Sequence, residues 1–405
     1  MNILIVTQYF YPEEFRINEV VKSLKNNGNK ITIISGLPNY PQGKIYKGYK
    51  SLIPKIYEYN SCTVYRVPIL SRGKSKIKLS FNYFSFVLSA SFFGFWFIKN
   101  KNFDFVYCYA PSPLLQAIPG IIFSKNKKIP FILNVQDIWP ESISATGNIK
   151  NKYILNLINI LVSKIYKNSS YIFVPSKSFK KSIEQYKSSE KIYYIPNSVD
   201  KIFLLKKPFP DQELDTLFSN CFSCVFAGNL GQAQDLDVII DAAKKITSYK
   251  DIRIIIFGEG NRYKWLKAQK NKYKLSNLYI MGRYPMSKMP NILLKSSCLL
   301  ITLKNNEIFK KTIPNKLQAY LALGRPIIGS ISGEGAEIIN ESGAGLICNH
   351  GSERDLADSI LFLKSLNKNK LLKMGQKGNT YFNKHFDHDK LINQMENIFL
   401  DLINK

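Results

Sequence analysis

A lysine-rich segment that follows one of the last apolar stretches has the signals of a helix start and is suited to binding phosphate groups. Pro314 stands where a first helical turn is expected, and Gly324 stands just past the end of that helix. The amino end of a helix carries N–H groups without partners and a partial positive charge, which attract anions. The segment therefore predicts a diphosphate site, and a solvated lysine cluster is the alternative that spacing alone leaves open. The lysines concerned are Lys310, Lys311 and Lys316.

Three short glycine pairs follow apolar stretches that have the composition of buried strands. A glycine pair lets the backbone turn tightly and lets a phosphate approach N–H groups at a helix start. Each pair alone is also ordinary in an α/β fold, and the chain has no Walker sequence or complete GxGxxG motif. The candidate phosphate loops contain Gly228 and Gly231, Gly258 and Gly260, and Gly333 and Gly335.

Carboxylates follow two strand-like stretches in the first half of the chain, where a general base could lie. Glu13 and Glu14 come after the first stretch, and Asp137 and Glu141 come after FILNV. Capping of a helix by Asp137 and a favourable charge at a helix start for Glu141 are the structural alternatives. Residues 1–349 contain no histidine, so a histidine base is excluded there.

Two patterns could bind a metal, and both are weak. Asp235 and Asp237 form Asp-x-Asp, but they open a predicted helix, where acidic residues complement the helix dipole. Cys221 and Cys224 form one CxxC without a second pair, so a zinc site is not expected. We expect no required divalent ion and no other cofactor.

Apolar stretches alternate with helical patterns, which is the order that βαβ units require. Residues 2–7 have no cationic prelude or cleavage site and favour a buried strand over a secretion signal. A helical pattern over Glu14 to Lys25 and a strand over Lys30 to Ser35 complete the first unit. The alternation continues along the chain and predicts an α/β fold with two doubly wound domains.

The break between the two series lies at residues 200–220, which contain Pro208 and Pro210 and few periodic apolar positions. We expect a first domain over residues 1–200 and a second over residues 201–385. Residues 386–405 are expected to form a closing helix that returns to the first domain.

Residues 81–98 are uncharged over 18 positions, the lower limit for a membrane-spanning helix. A span would place the next strand-like stretch, residues 103–110, on the opposite side of the bilayer from the strands with which it must pair. The alternatives are a buried core helix and a helix whose aromatic face enters the lipid interface beside flanking basic residues such as Arg72 and Lys99.

The charge balance predicts an anionic partner. There are 57 Lys and Arg against 29 Asp and Glu, a net charge of +28, which attracts nucleic acid, an anionic membrane or phosphate-bearing ligands. No base-reading motif is present, so nucleic acid is not expected. Hydrophobic residues at 45% and charged residues at 21% exclude a disordered chain and a polytopic membrane protein. Six scattered cysteines fit a reducing compartment.

Several separated motifs resemble family 4 retaining glycosyltransferases of the GT-B fold. NNEIFKKTIPNKLQAYLALGRPIIG resembles the second-domain signature, in which a small-residue helix followed by Gly-Arg/Lys-Pro and a strand holds the nucleotide sugar. The chain also resembles the branch that transfers N-acetylated amino sugars, of the N-acetyl-fucosamine type, in O-antigen and capsule assembly. The motifs that carry this resemblance are YFYPEEFRINEV, GLPNYPQGKIYKGY, YAPSP, NVQDIWPES and FAGNLGQAQDLDVII.

The resemblance implies two Rossmann-like domains that face each other across a cleft, with a UDP-linked donor held mainly by the second. It implies that Gly282 and Arg283 lie near the base and diphosphate and Gln318 near the ribose hydroxyls. The amide groups from Gly333 through Gly335 to Ala336 would lie near the phosphates or the sugar.

This sequence departs from the family pattern at charged positions. Lys310 and Gln318 stand where the family has two glutamates, and Gln318 can still hydrogen-bond a diol. The family's arginine and lysine that neutralise the diphosphate match Asn229 and Gln234, which carry no charge. The expected substitutes are Arg283, Lys311 and Lys316, with Lys311 also a candidate for the catalytic step.

The resemblance places the acceptor in the first domain. Many relatives have a histidine where this chain has Tyr109, and Arg16 is a candidate to bind an acceptor phosphate or to pair with a carboxylate. In this fold, retaining transfer is thought to proceed on one face, with the departing diphosphate oxygen helping to deprotonate the acceptor. Asp137 is the favoured catalytic carboxylate in this domain, and Glu14 and Glu141 are further candidates.

We therefore expect an enzyme that moves an N-acetylated amino sugar from a UDP-sugar to an undecaprenyl-diphosphate-linked oligosaccharide. It would work in the cytoplasm, peripherally on the inner face of the bacterial plasma membrane. A UDP-sugar epimerase of the same architecture and an inactive membrane-associated scaffold are the alternatives. An epimerase would turn over free donor, whereas a scaffold need not bind UDP.

Overall fold

The computed structural model describes residues 1–73, 75–145, 151–205 and 211–404. The chain forms two compact units. Unit 1 comprises Met1–Pro196 with Asp389–Lys405, and unit 2 comprises Asn197–His388. Each unit has its own parallel sheet with helices on both faces, so the prediction of two doubly wound α/β domains is confirmed.

The sheet of unit 1 has eight strands in the order β3-β4-β2-β1-β5-β6-β7-β8. All neighbours are parallel except β3, which pairs antiparallel with β4 at the edge. Parallel strands covered on both faces are apolar along their length, which is why their pattern is visible in the sequence. The strands are β1 (Asn2–Thr7), β2 (Lys30–Gly36), β3 (Lys55–Tyr59), β4 (Cys62–Val67), β5 (Phe105–Ala110), β6 (Phe131–Val135), β7 (Tyr171–Val174) and β8 (Ile192–Tyr194).

The β3–β4 hairpin is absent from the sequence prediction. Its two-residue loop, Asn60 and Ser61, has φ values of 47° and 58°, as a hairpin turn of the I′ type requires. β3 lies at the sheet edge and is largely exposed, so it lacks the apolar run that marks the buried strands.

Among the described residues, six α-helices of unit 1 precede residue 197. One of them, which spans residues 76–98, begins five residues before the uncharged stretch and contains all of it. The helices are α1 (Ile17–Asn26), α2 (Lys76–Ile98), α3 (Ala117–Lys127), α4 (Glu141–Ala145), α5 (Lys152–Asn168) and α6 (Lys177–Ile183).

The helix α2 lies against the sheet instead of inside a core. It contacts β2, β4 and α3, yet only 28% of its most apolar 18-residue window is buried. Of the alternatives that the sequence left open, the buried core helix is therefore wrong, because one side of the helix is not covered by any of the described residues. By length and composition alone, α2 is the single helix among the described residues that could span a bilayer.

The sheet of unit 2 has six parallel strands in the order β11-β10-β9-β12-β13-β14. They are β9 (Phe222–Ala227), β10 (Ile252–Phe257), β11 (Leu278–Gly282), β12 (Cys298–Thr302), β13 (Ile327–Ser330) and β14 (Gly345–Ile347). The chain first builds outward from β9 through β10 and β11, and then crosses to the other side of β9. The direction therefore reverses between β9 and β12, which is where open α/β sheets bind ligands at their carboxyl edge.

The helices of unit 2 include one that the sequence did not predict. A linker was expected at residues 200–220, but residues 212–218 form a helix that Asp211 caps through Leu214. Pro208 and Pro210 lie outside the described residues. The helices are α7 (Gln212–Phe218), α8 (Leu236–Lys245), α9 (Tyr263–Lys272), α10 (Met289–Lys295), α11 (Glu307–Lys310), α12 (Asn315–Leu323), α13 (Glu334–Ser342), α14 (Glu353–Ser365) and α15 (Lys368–His385).

The last helix, α16 (His388–Ile403), packs in unit 1. Its Phe399 is fully buried, and the ring centroid lies 4.7 Å from that of Phe105 and 5.7 Å from that of Phe173. α16 and α1 thus share a core on one face of the first sheet, whereas α2 and α3 cover the other face.

Candidate functional site

The candidate donor site lies in unit 2 at the carboxyl edge of β9 and β12, where the strand order reverses. The loop after β9 is fixed there by two bonds to β12 and its following residues. Thr302 donates its hydroxyl to the Gln234 carbonyl, and the Lys304 N–H donates to the Ala233 carbonyl over 2.9 Å. The position of Gln234 at this edge is therefore set by the sheet.

Lys316 reaches this edge from the first turn of α12. Pro314 directly precedes α12, and Gly324 ends it with φ of 68°, as the sequence predicted. The Lys316 Nζ donates to Gln234 Oε1 over 2.6 Å and lies 3.8 Å from the centroid of the Phe226 ring. A Cβ at Gly228 would lie 3.3 Å from the same ammonium. The charge thus sits beside the loop that follows β9.

The Lys316 ammonium is desolvated and has only neutral neighbours. No carboxylate of the described residues pairs with it, and burial lowers its pKa to about 7. An amide oxygen and an aromatic face give a cation partial compensation for lost water, but they do not neutralise it. A ligand with ionised phosphates would supply the missing negative charge.

Two of the glycine amides that were expected to meet a phosphate donate to backbone carbonyls of the protein instead. The Gly228 N–H donates to the Phe257 carbonyl over 3.0 Å, and the Gly258 N–H donates to the Gly282 carbonyl over 2.7 Å. A Cβ at Gly258 would lie 1.8 Å from the Gly228 carbonyl oxygen. Gly258 is therefore required by the close approach of two loops, and both amides are already engaged.

The first turn of α13 is also partly engaged. The Ala336 N–H donates to the Gly333 carbonyl over 2.9 Å, so this amide is not available to a phosphate. Gly333 has φ of 74°, and a Cβ there would lie 2.0 Å from the Lys310 carbonyl oxygen. Gly335 packs beside Pro314, because a Cβ there would lie 3.1 Å from that proline ring. The loop before α12 therefore touches the start of α13.

Gln318 and Lys316 do not point to the same place. Residues two apart on a helix leave it on different faces, so the two side chains of α12 diverge. Gln318 is 1% exposed, and among the described residues its Oε1 has no hydrogen-bond partner. A buried acceptor without a donor costs about 1–3 kcal/mol, so this oxygen is suited to a hydroxyl of a bound molecule.

The other predicted donor residues lie nearer the surface. Arg283 is exposed and follows β11 at the sheet edge, and Lys311 is half-buried at the end of α11. Lys310 pairs with Glu307 at 2.6 Å. Asn229 is exposed, and its side chain lies close to Gly231 and Gly260.

The Asp-x-Asp pattern has a structural partner. Asp237 pairs with Arg262, whose guanidinium lies 3.5 Å from the centroid of the Trp265 ring. This pair holds the pKa of the Asp237 carboxyl below its usual range, whereas burial raises that of Asp235. Asp237 therefore fixes α8 to the residue before α9.

In unit 1, the carboxylate with the most contacts is Glu13 and not the predicted Glu14. Glu13 is 1% exposed and accepts N–H bonds from Phe10, Asn39 and Tyr40 at 3.2, 2.8 and 2.7 Å. Burial raises its pKa although these bonds favour the ionised form. Glu13 thus joins the loops that follow β1 and β2, while Glu14 is exposed. A carboxylate among backbone donors leaves no signal in the sequence.

The catalytic candidates after β6 differ in their surroundings. Burial raises the pKa of the Asp137 carboxyl, and hydrogen bonds from Ser142, Ser112 and Trp139 act against this. Glu141 begins α4, and burial, together with the charge of Glu141, raises the pKa of Tyr166 and of Tyr186. Asp137 therefore belongs to the carboxyl edge of β5 and β6, whereas Glu141 lies near the tyrosines of neighbouring helices.

The two predicted acceptor residues are brought near each other. Tyr109 lies on β5 and is 4% exposed, and burial raises its pKa. The charge of Arg16, the residue before α1, acts in the opposite sense on that pKa, so the two side chains are within electrostatic reach.

A further cation, Arg72, lies near the loops that follow the strands of the first sheet. The sequence indicated it only as a basic neighbour of the uncharged stretch at residues 81–98. Arg72 donates to the Tyr9 hydroxyl over 2.9 Å and lies 5.1 Å from the centroid of the Tyr40 ring. Tyr9 in turn stacks on Phe15 at 5.0 Å. Arg72 and its aromatic neighbours therefore lie between the loops that follow β1 and β2.

Comparison with known proteins gives matches over both units. The family model described as Glycosyltransferase Family 4 matches residues 14–201, and the model described as Glycosyl transferases group 1 matches residues 221–365. An uncharacterized glycosyltransferase of Methanocaldococcus jannaschii is 23% identical over 346 residues, which cover 85% of this chain and 86% of that protein.

Two further similarities concern a bacterial relative and a solved structure. WcaI of Escherichia coli K12, a candidate glycosyl transferase of colanic acid biosynthesis, is 24% identical over 340 residues, 80% of this chain and 82% of WcaI. Anabaena HepE in complex with UDP superposes with a TM-score of 0.71 at 13% identity, over 99% of this chain and 100% of that one. This structural likeness shows that the fold is shared.

Proposed function

We propose that the chain is a family 4 glycosyltransferase, because models of glycosyltransferase families match residues 14–201 and 221–365. In this proposal it transfers an N-acetylated amino sugar from a UDP-sugar to a lipid-diphosphate-linked oligosaccharide. The transfer retains the anomeric configuration and builds a bacterial surface polysaccharide, an O-antigen or a capsule. The likeness to WcaI, named for colanic acid biosynthesis, supports the polysaccharide, and the likeness to HepE, solved with UDP, supports the nucleotide.

The observation that carries the proposal is the Lys316 ammonium at the reversal point of the second sheet. Lys316 is half-buried, it has no carboxylate partner among the described residues, and its ammonium lies beside the loop after β9. A diphosphate in this place would be stabilised by a cation that loses little hydration on binding, because the amine is already desolvated.

Lys316 also accounts for the charge that the chain lacks elsewhere. The family's diphosphate-binding lysine matches Gln234, and Lys316 Nζ is bonded to Gln234 Oε1. In the proposal, the cation that binds the diphosphate therefore comes from α12 and not from position 234.

The proposed chemistry places positive charge at the leaving group. The donor diphosphate departs with its charge balanced by Lys316, and its oxygen accepts the proton of the attacking hydroxyl on the same face of the sugar. Arg283 and Lys311 are proposed to assist. We propose that no divalent ion is required, since Asp237 of the Asp-x-Asp pattern is engaged by Arg262.

We assign the acceptor to unit 1. Arg16 and Arg72 are the cations proposed to meet acceptor phosphates, and Tyr109 lies within electrostatic reach of Arg16. Asp137 is the proposed hydrogen-bond acceptor that orients the acceptor hydroxyl, because it lies at the carboxyl edge of β5 and β6, and the proton itself passes to the departing diphosphate oxygen. The lipid of the acceptor places the enzyme on the cytoplasmic face of the plasma membrane.

A charge-exchange series tests the donor site. Calorimetry with UDP is expected to show a loss of affinity of at least about tenfold in Lys316→Gln, because a charge-assisted phosphate contact is worth about 1.5–3 kcal/mol. The double variant Lys316→Gln with Gln234→Lys returns a cation to the same place and is expected to recover most of the affinity.

Lys364→Gln is the matched control for this series. Lys364 also lies near an aromatic ring, Tyr249 at 5.2 Å, and bonds to a side chain, Asp251 at 2.7 Å, but it does so beside the amino end of β10. Unchanged UDP affinity in Lys316→Gln would remove the basis of the proposal.

A panel of nucleotide sugars tests the transfer itself. Incubation with lipid-linked acceptors, with product mass as the readout, is expected to show one added N-acetylhexosamine-type residue, and its NMR coupling constant reports retention. Epimerised donor formed without acceptor would favour an epimerase, and a chain that binds no UDP would favour a scaffold.

A further inference from the structure

Three helices of unit 1 lie side by side on one face of the sheet and together present an apolar surface. α3 contacts both α2 and α5, so the outward sides of the three helices face the same way. We call this surface the helix face. Its exposed apolar side chains are Ile77, Phe81, Phe84, Leu88, Phe92, Phe95 and Trp96 of α2, Ile122 of α3, and Tyr153, Ile154, Leu157 and Ile160 of α5.

The exposure of α2 follows from how it is held against the sheet. Its buried residues recur every four positions and form a single stripe. Gly94 in this stripe allows close contact, because a Cβ there would lie 2.4 Å from Phe123 of α3 and 3.1 Å from Ile34 of β2. The opposite stripe must then face outward, and Leu88, Phe92 and Trp96 are 71%, 64% and 64% exposed.

The charges around the helix face have one sign. α2, α3 and α5 contain seven lysines and no aspartate or glutamate. The lysines lie towards the helix ends, at positions such as Lys76, Lys125 and Lys164, and the apolar side chains lie between them. Helices that rest in a lipid interface combine an apolar side with lysines in this way.

We propose that the helix face docks on an anionic lipid bilayer, with the aromatic side chains in the interface and the lysines at the head groups. An exposed apolar surface of this extent marks an interaction site. A second copy of the chain is the less suitable occupant, because a symmetric dimer through this face would bring two sets of lysines together without a carboxylate to pair with them.

This inference rests in part on the proposed function, since a lipid-linked acceptor lies in a membrane. It extends that proposal by naming the surface of the chain that meets the bilayer. Docking through the helix face keeps β2, β4 and α2 packed together, whereas insertion of α2 as a span would separate them.

Vesicle flotation of the full chain tests the inference without donor or acceptor. Vesicles of phosphatidylethanolamine and phosphatidylglycerol are expected to carry the chain to the top of the gradient, and phosphatidylcholine vesicles to carry much less. Phe84→Glu with Phe92→Glu in α2, and separately Leu157→Glu in α5, are each expected to lower the partition coefficient at least about tenfold. All three positions are exposed, so the fold is expected to persist, with circular dichroism as the check.

Phe362→Glu is the matched control, because Phe362 is a 51% exposed phenylalanine on α14 of unit 2. It is expected to leave flotation unchanged. Quenching of Trp96 fluorescence by brominated lipids provides a reading at one residue, and Trp96→Phe is expected to abolish most of it.

Equal flotation of the wild-type chain and the α2 and α5 variants would overturn the inference, and so would a wild-type chain that stays at the bottom. Retention after a carbonate wash would indicate insertion and contradict surface docking. A dimer in sedimentation that the α2 variant dissociates, without vesicle binding, would assign the face to a second copy. UDP binding in the same preparations separates these outcomes from failure of the proposed function.

Discussion

The pH dependence of donor affinity is the sharpest consequence of the buried amine. Lys316 has a pKa of about 7 in the free protein, because burial disfavours its charged form. A bound diphosphate favours the charged form and raises this pKa. Below pH 7 the amine is protonated before and after binding, so the affinity is maximal there. Above pH 7 binding takes up a proton, so the affinity falls with pH, and the loss approaches tenfold per pH unit well above pH 7.

The magnitude follows from the same pKa. Between pH 7 and pH 8.5 the dissociation constant is expected to rise about 16-fold, which corresponds to about 1.6 kcal/mol at 1.36 kcal/mol per tenfold change. At pH 8, roughly nine-tenths of the free amines are neutral, so about 0.9 proton is taken up for each donor bound.

The assay is calorimetric titration with UDP-N-acetylglucosamine, whose diphosphate stays ionised from pH 6 to pH 8.5. Titrations in two buffers that differ in ionisation enthalpy count the protons. Lys316→Arg is the control, because arginine stays charged over this range and is expected to give a flat profile. A profile of the wild-type chain as flat as that of Lys316→Arg would refute the reasoning, and so would proton uptake that persists in Lys316→Met.

Three further outcomes are expected from the structure. Between pH 7 and 10 the lysine is neutral in the folded wild-type chain and protonated in the unfolded chain, so the wild-type melting temperature rises with pH. Lys316→Met is expected to raise the melting temperature of the nucleotide-free chain at pH 7 and to remove most of this dependence on pH. Glu13→Ala lowers the melting temperature by leaving two buried N–H groups and one part-buried N–H group without an acceptor, with a cost of at least about 2–3 kcal/mol. Phe399→Ala destabilises unit 1 by about 3–5 kcal/mol, as calorimetry of unfolding can measure, and the exposed Leu400→Ala is its mild control.

The parts of the fold that the sequence predicts are those in which one physical requirement dominates. Strands buried on both faces must be apolar along their length, so β1, β5 and β10 stand out. The edge hairpin of β3 and β4 combines exposed and buried positions and was missed. For α2, composition indicates an apolar helix, but only the packing at Gly94 decides which side is covered.

The glycines that follow strands predict a donor site at the carboxyl edge of the second sheet, and the proposed site lies at that edge. Their amides, at Gly228, Gly258 and Ala336, are nevertheless engaged by neighbouring backbone carbonyls. A glycine motif indicates that another group approaches the backbone closely, and it does not say whether that group belongs to a ligand or to the protein. Whether an N–H group is engaged depends on register between loops, which no local pattern encodes.

The location of a charge in the fold can differ from that of the residue that carries it, because a long side chain can place the charge beside another part of the chain. A backbone amide has no such reach. Lys316 starts on α12 and ends at Gln234, 82 positions earlier in the sequence. A comparison with the family pattern residue by residue finds an uncharged side chain at position 234 and predicts a lower affinity for the donor. The electrostatic potential depends on where the ammonium lies and not on the position from which it starts. In the proposed donor site, the charge from Lys316 replaces a charge at position 234, so the electrostatic potential is preserved although both residues have changed. The exchange variant, Lys316→Gln with Gln234→Lys, is therefore expected to bind UDP as well.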